Sequence, residues 1–224
     1  MLIHDGLVRV NGRVQHDPET PVRLEVDTIA ISQRPIAAKE FIYLMVNKPR
    51  GLVTTASDEK GRATIYSLLD TSLPWVAPVG RLDKASEGLL LVTNDSEWAA
   101  RILSPDSEVE KTYHVQIRSN TPEEVVRTFA KGVQADGEIL HVARATTLRQ
   151  GRYNAWLEIV LREGKNRHIR RMLAACGVEV LRLVRVSIGP LALGKLAKGA
   201  TRLLTAVEKR ELDAVLDPGS IKPR

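Results

Sequence analysis

Two short apolar runs limit what this chain can become. Phe41 to Val46 and Leu89 to Val92 are almost unbroken hydrophobic stretches of strand length, and neither approaches the roughly 18 residues that a membrane-crossing helix requires. Such segments belong at the centre of a sheet, covered on both faces. Their neighbours alternate instead. In Lys111 to Arg118, Tyr113, Val115 and Ile117 share one face while Thr112, His114, Gln116 and Arg118 share the other. Tyr153 to Leu161 repeats the pattern, as strands with one face on the core do. Val178 to Ile188 reads as a further strand.

Helix signals fall between these strands. A short helix is expected around Ile65 to Leu69, and Asn94 with Glu97 three positions on starts another that Ser104-Pro105 stops. Thr121-Pro122-Glu123-Glu124 has the form of a capping box with Pro at the first helical position, and that helix should end near Lys131-Gly132. Asn166 is placed to cap a helix running to Ala175, with Gly177 to stop it, and Thr205 to Glu208 caps a last one. Several strands are joined by links too short for parallel crossovers. The expected class is therefore α+β, a mixed and largely antiparallel central sheet flanked by helices.

Ahead of this body, Leu7 to Val10, the Asn11-Gly12 turn and Val14 predict a hairpin, with Val22 to Val26 as a third strand. Pro35 breaks a polar linker over residues 34–39. The organisation read from these signals is a small module over 1–33, the linker, a main domain over 40–216 and a flexible tail over 217–224. A length of 224 residues suits one main domain with an appendage. With 43% hydrophobic and 27% charged residues the chain has the material for a core, unlike a disordered segment.

Lys plus Arg number 33 against 27 Asp plus Glu, a formal charge of +6 that favours polyanionic partners, nucleic acid before anionic lipid. The excess is local: residues 1–47 carry five Lys or Arg against six Asp or Glu, whereas Gly151 to Arg185 carry eight against three. Cys176 is the single cysteine, so neither an intramolecular disulfide nor a thiolate-rich zinc site can form, and a reducing, cytoplasmic setting is expected. Asp5 and Arg9 interrupt the apolar centre that a signal peptide would need. No membrane association and no metal are expected.

Two segments concentrate reactive chemistry. Arg162 to Arg171 holds five Lys or Arg against one Glu, with Lys165, Asn166 and Arg167 at an expected helix N-terminus whose free amides favour an anion. A solvated helix face is the plainer reading of such a run. The second segment is Gly80-Arg81-Leu82-Asp83-Lys84-Ala85-Ser86-Glu87-Gly88, directly before a buried strand. An Asp presented there, beside a cation that keeps it ionised, can act as nucleophile or base. It can equally be a turn residue accepting backbone hydrogen bonds, and spacing alone leaves both open. Tyr113 likewise reads either as a core tyrosine or as a stacking platform. Glu87 reads as a loop residue, although Glu87 and Asp95 are the nearby carboxylates that a glycosidase pair would use.

Gly80-Arg81-Leu82-Asp83 followed by Gly88 to Asp95 resembles the signature of the RsuA and RluB/RluE/RluF family of ribosomal RNA pseudouridine synthases. Asn47-Lys48-Pro49-Arg50-Gly51, Glu110-Lys111-Thr112-Tyr113, Glu163 to Met172, and Leu181 to Val186 with Ile188-Gly189 agree in the same order. The resemblance covers Glu40 to about Leu212. It implies an enzyme without cofactor that isomerises uridine in RNA by cleaving the glycosidic bond, turning the base and rejoining it through carbon. It also implies that Asp83 is the catalytic aspartate, that Tyr113 contacts the base and removes the C5 proton, and that Arg170 pairs with the aspartate. RNA contacts are expected from Lys48, Arg50, Arg81, Lys111, Lys165, Asn166, Arg167, His168, Arg171, Arg182 and Arg185.

Two positions depart from the family pattern, Ser86 where Thr is common and His168 where Gln is common. Leu2 to Val14 resembles the second half of an S4 RNA-binding domain. The helical pair that usually opens that module has no counterpart here, so weak independent RNA binding is expected of residues 1–33. Ribosomal RNA is the implied partner, its large subunit favoured over the small, and a monomer is the expectation. A noncatalytic ribosome-assembly factor on the same fold is the alternative, and the presence of Asp83, Tyr113 and Arg170 speaks against it.

Overall fold

The computed structural model of the protein describes residues 2–23, 26–31, 34–35, 40–55 and 61–217. The chain divides into two compact units, Met1–Phe41 and Ile42–Arg224. In the first, β1 (Val8–Val10), β2 (Arg13–Gln15), β3 (Ile29–Ile31) and β4 (Arg34–Pro35) form an antiparallel sheet in the order β2-β1-β3-β4. Asn11 and Gly12 have φ of 52° and 80°, the left-handed pair that a two-residue hairpin turn demands. The third strand is not the expected Val22 to Val26. Arg23 and Val26 belong instead to a turn in which Asp27 accepts from the Arg23 amide at 2.7 Å, and Asn11 bridges to Asp27 and Thr28. This side-chain bonding competes with a strand ladder. Leu24 and Glu25, most of the expected linker and the tail from 218 lie outside the described residues.

The second unit contains β5 (Tyr43–Lys48), β6 (Ala77–Val79), β7 (Glu87–Thr93), α1 (Ser96–Leu103), β8 (Lys111–Arg118), α2 (Pro122–Lys131), β9 (Val133–Ala135), β10 (Glu138–Leu140), β11 (Arg144–Gln150), β12 (Ala155–Leu161), α3 (His168–Ala175), β13 (Glu179–Ile188), β14 (Leu191–Ala192), β15 (Thr201–Leu203) and α4 (Ala206–Leu216). Its main sheet runs β11-β12-β8-β13-β7-β5-β15, with β14 on β13 and β6 on β7. Among the described residues its pairs are antiparallel except β7 with β13, where Val184 stands beside Glu87 and Arg185 beside Gly88. This is the mixed, largely antiparallel α+β architecture that the strand spacing predicts.

The two apolar runs lie where their composition sends them. Every residue of β7 is buried. Leu89 and Leu91 pack with Met45 against Trp98, Ile102 and Leu212 of α1 and α4, while Leu90 and Val92 pack with Leu44 and Val46 against Ile65 and Leu82 on the other face. Farther along the sheet, Val115, Ile117, Leu157 and Ile159 are covered by Val125 and Phe129 of α2 and by Ile169, Met172 and Leu173 of α3.

The helix starts differ in detail from their sequence signals. Asp95, not Asn94, caps α1 through the Trp98 amide at 3.0 Å, because the Asn94 oxygen is taken by the Ile42 amide. Thr121 precedes α2 with no side-chain cap bond. α3 begins two residues after Asn166, with Arg167 left-handed at φ 50° and no side-chain cap.

The α4 capping box is present: Thr205 accepts from the Glu208 amide, and the Glu208 carboxylate accepts from the Thr205 amide at 2.9 Å. The Arg202 guanidinium grips the same carboxylate at 2.6 and 2.8 Å and holds its pKa down to about 2. Because the folded value lies below the ordinary 4.5, the contribution is complete above about pH 4.5 and is lost as pH falls toward 2. Discounted for partial exposure, it should be worth about 2 kcal/mol. Glu208→Gln is therefore expected to lower the pH 7 melting midpoint by about 5 °C, a gap that closes near pH 2 to 3 in parallel melts.

Candidate active site

The loop over residues 80–86 carries Asp83 from β6 to β7, and β5 ties it down from beneath. Lys48 is wholly buried at the end of β5, and its ammonium donates to the carbonyls of Pro49, Asp83 and Ser86 at 3.1, 3.1 and 2.9 Å. Burial pushes its pKa down to about 8 against the opposing pull of Asp83 and Glu87. The Ser86 amide closes a turn on the Asp83 carbonyl at 2.9 Å, the Gly51 amide donates to Lys84, and the Thr54 hydroxyl donates to Leu82. A lysine with three acceptors satisfies all its donors. This accounts for Lys48 without RNA, and the expectation of an RNA contact there is corrected to a buried loop anchor. Lys48→Met leaves the three carbonyls without that donor and is expected to cost about 2–3 kcal/mol in denaturant titrations. Because it frees the Asp83 loop, single-turnover rates should also fall at least about tenfold.

Arg170 of α3 and Arg167, the residue just before that helix, bring two guanidiniums to the Asp83 carboxylate. Arg170 Nε lies 3.5 Å and Arg167 Nη1 3.7 Å from its Oδ2, which are ion-pair separations rather than tight hydrogen bonds. Arg170 is positioned by donating Nη2 to the Ala85 carbonyl at 3.1 Å and the Ser86 hydroxyl at 3.2 Å. Burial lowers its pKa, while Asp83 opposes the shift. The departure at Ser86 thus keeps the hydroxyl that Arg170 uses.

Asp83, Arg170 and Tyr113 line one cavity of about 220 Å³. Its apolar side includes Val79, Ile102 and Leu103. Arg81, Lys165 and Arg167 are exposed at its margin, Lys111 is half-buried, and Arg185 and His168 are buried at 6% and 3% exposure. Burial lowers the pKa of both Lys111 and His168.

Other expected RNA contacts lie outside this cavity's lining. Arg50 and Asn166 are exposed, and Arg50 reaches the Leu181 carbonyl at 3.4 Å. Arg171 is paired with Asp136 at 2.6 Å and Glu138 at 2.8 Å. Arg182 makes a bidentate pair with Glu87 at 2.9 and 3.0 Å. Glu87 is accordingly no loop residue: it opens β7, is 2% exposed and also takes Lys198 at 2.6 Å. A charge heading a buried strand should have signalled a buried partner. Lys48, charged at the end of an apolar strand, gave the same missed signal.

One carboxylate between two guanidiniums, a tyrosine in the same cavity lining and a margin of exposed cations suit an enzyme that works on a polyanionic substrate. Residues 42–175 match the family model described as RNA pseudouridylate synthase. The chain belongs to that family and is a pseudouridine synthase. It is 33% identical to the "Ribosomal large subunit pseudouridine synthase B" of Bacillus subtilis over 97% of this chain and 90% of that protein. It is 34% identical to an uncharacterized RNA pseudouridine synthase of Aquifex aeolicus over 94% of this chain and 85% of that protein. A crystal structure of a pseudouridylate synthase superposes with a TM-score of 0.67 at 32% identity, covering 94% of this chain and 90% of that one.

Proposed function

We propose that the protein isomerises uridine in ribosomal RNA of the large subunit, with Asp83 as the essential carboxylate. The observation that carries this reading is the Asp83 carboxylate, held at ion-pair distance by Arg170 and Arg167 in the cavity that Tyr113 lines. Guanidiniums hold a carboxylate by charge and by geometry and remain charged at any working pH. The anionic Asp83 attacks at the ribose as the C1′–N1 bond breaks. The base then turns and C5 bonds to C1′ as the bond from Asp83 to the ribose breaks, which regenerates the carboxylate, and the C5 proton passes by way of Tyr113 to N1. A uridine in folded RNA must first be extruded, and a flipped base is held by stacking and edge contacts. Tyr113 offers the aromatic surface, and Arg81, Lys165 and Arg167 at the margin suit the flanking phosphates.

A glycosidase reading would need a second free carboxylate flanking the bond. Glu87 is engaged by Arg182 and Lys198, and Asp95 caps α1 while accepting from the Tyr43 hydroxyl at 2.7 Å. Residues 1–33 are read as a partial S4-like module with weak RNA binding of its own. The large-subunit target rests on the name of the Bacillus relative. Carbodiimide-treated primer extension on ribosomal RNA from cells with and without the protein tests it: at least one stop in large-subunit RNA should vanish with the gene. Loss confined to small-subunit RNA would reassign the target, and no loss would refute the ribosomal reading.

A further inference from the structure

We propose that Arg185 is a further catalytic residue, whose guanidinium binds a carbonyl oxygen of the extruded uracil and stabilises the charge that the ring takes up as the C1′–N1 bond breaks. The inference rests on the active-site reading above and adds the group that receives the departing base.

Arg185 stands in β13 directly across from Tyr113 in β8, and both line the cavity. It is 94% buried by the complement of its 6% exposure. Its Nε donates to the Leu89 carbonyl at 2.7 Å, but its buried Nη2 has no hydrogen-bond partner. Nearby arginines that are buried or half-buried have counterions: Arg170 pairs with Asp83, Arg171 with Asp136 and Glu138, and Arg182 with Glu87. Among the described residues no ion pair holds Arg185. Lys48 and Lys111 both feel its positive charge. A buried guanidinium without a counterion is costly to keep, and an unpaired donor adds to that cost. Such a group is useful if negative charge arrives during the reaction.

Depth selects what arrives. Phosphates meet Arg81 and Arg167, which are exposed at the margin, whereas a base laid against Tyr113 brings its carbonyl oxygens toward the strand that holds Arg185. When C1′–N1 breaks, its electron pair passes onto the ring and spreads over O2 and O4. A donor fixed in advance at one of these oxygens stabilises that state more than the neutral ground state. The charge leaves the ring as C5 bonds to C1′, and the C5 proton then passes to N1.

The test is consumption of the target nucleoside in single turnovers, read by nuclease digestion and mass spectrometry, on RNA carrying uridine or 5-fluorouridine at the modified position. Fluorine makes the base a better leaving group and lessens its need for a cation. Arg185→Met should slow uridine RNA by about 100-fold or more and fluorouridine RNA by less than tenfold, with RNA affinity within threefold. Arg185→Lys should lie between on uridine. Equal losses on both substrates would overturn the proposal, because a merely structural defect does not discriminate leaving groups. Should Arg185→Met fail to fold, the same substrate ratio is read from Arg185→Lys. Asp83→Asn separates the two readings. Turnover by Asp83→Asn would refute the site assignment itself, whereas its inactivity beside an undiscriminating Arg185 variant refutes the role of Arg185 alone.

Discussion

Asp83→Asn is expected to suppress tritium release from C5-labelled uridine in ribosomal RNA transcripts by more than about 10⁴-fold while the RNA is still bound. The amide matches the carboxylate in shape but can neither attack at the ribose nor serve as a base. Binding should hold or tighten slightly, because removal of one negative charge beside Arg167 and Arg170 leaves the cavity more cationic. Stability should fall by only about 1–2 kcal/mol. The half-buried Arg170 loses its counterion but keeps its bonds to Ala85 and Ser86. A variant that retains even a tenth of the wild-type rate would remove Asp83 from the chemistry. One that loses RNA binding in proportion to activity would make it an affinity residue instead.

The largest expected loss of stability comes from a position with no functional group. Gly88 has φ +103°, and a Cβ there would lie 2.2 Å from the Arg185 carbonyl oxygen and 2.8 Å from its amide nitrogen. Backbone cannot swing aside as a side chain can, so Gly88→Ala must part β7 from β13 at their parallel contact. Left-handed strain and the clash together should cost about 3–5 kcal/mol, or about 10 °C in melting midpoint for a unit of this size. Gly194→Ala is the control. Its φ of +58° is also left-handed, yet nothing lies within 4 Å of its Cβ position, so strain alone should cost about 1 kcal/mol. Equal midpoints for the two variants would show that the strand approach at Gly88 is not tight. Activity should fall beyond the loss of folded protein, because β7 leads from the Asp83 loop while β13 carries Arg185.

Regular elements were legible because their signals are local. Lys111 to Arg118 alternates in sequence and is β8 to the residue, and Thr205 to Glu208 closes a capping box on itself within four residues. Signals that depend on competition were read less well. Asn94 loses the α1 cap to Asp95 because an amide fifty-two residues away claims its side chain. Asn166 loses the α3 start to the left-handed turn at Arg167. The third strand is Ile29–Ile31 and not Val22 to Val26, where Asp27 takes the Arg23 amide and Asn11 takes the Thr28 amide in place of a ladder.

Sequence alone determined the α+β class and most of the order of strands and helices along the chain, and its motifs singled out Asp83, Tyr113 and Arg170, which the fold brings to one cavity. These follow from periodicity and from short ordered motifs, which need no knowledge of distant partners. Tertiary structure alone decided which cations stay exposed at the cavity and which are spent on internal partners. Lys48, Arg171 and Arg182 have the same charge as Arg81 and Arg167, but their partners are carbonyls and carboxylates that approach only when β5, β7, β10 and β13 assemble around the loop. A charge carries no record in sequence of the group that will neutralise it. Burial and pairing are properties of the folded sheet, and they separate the anchors from the site.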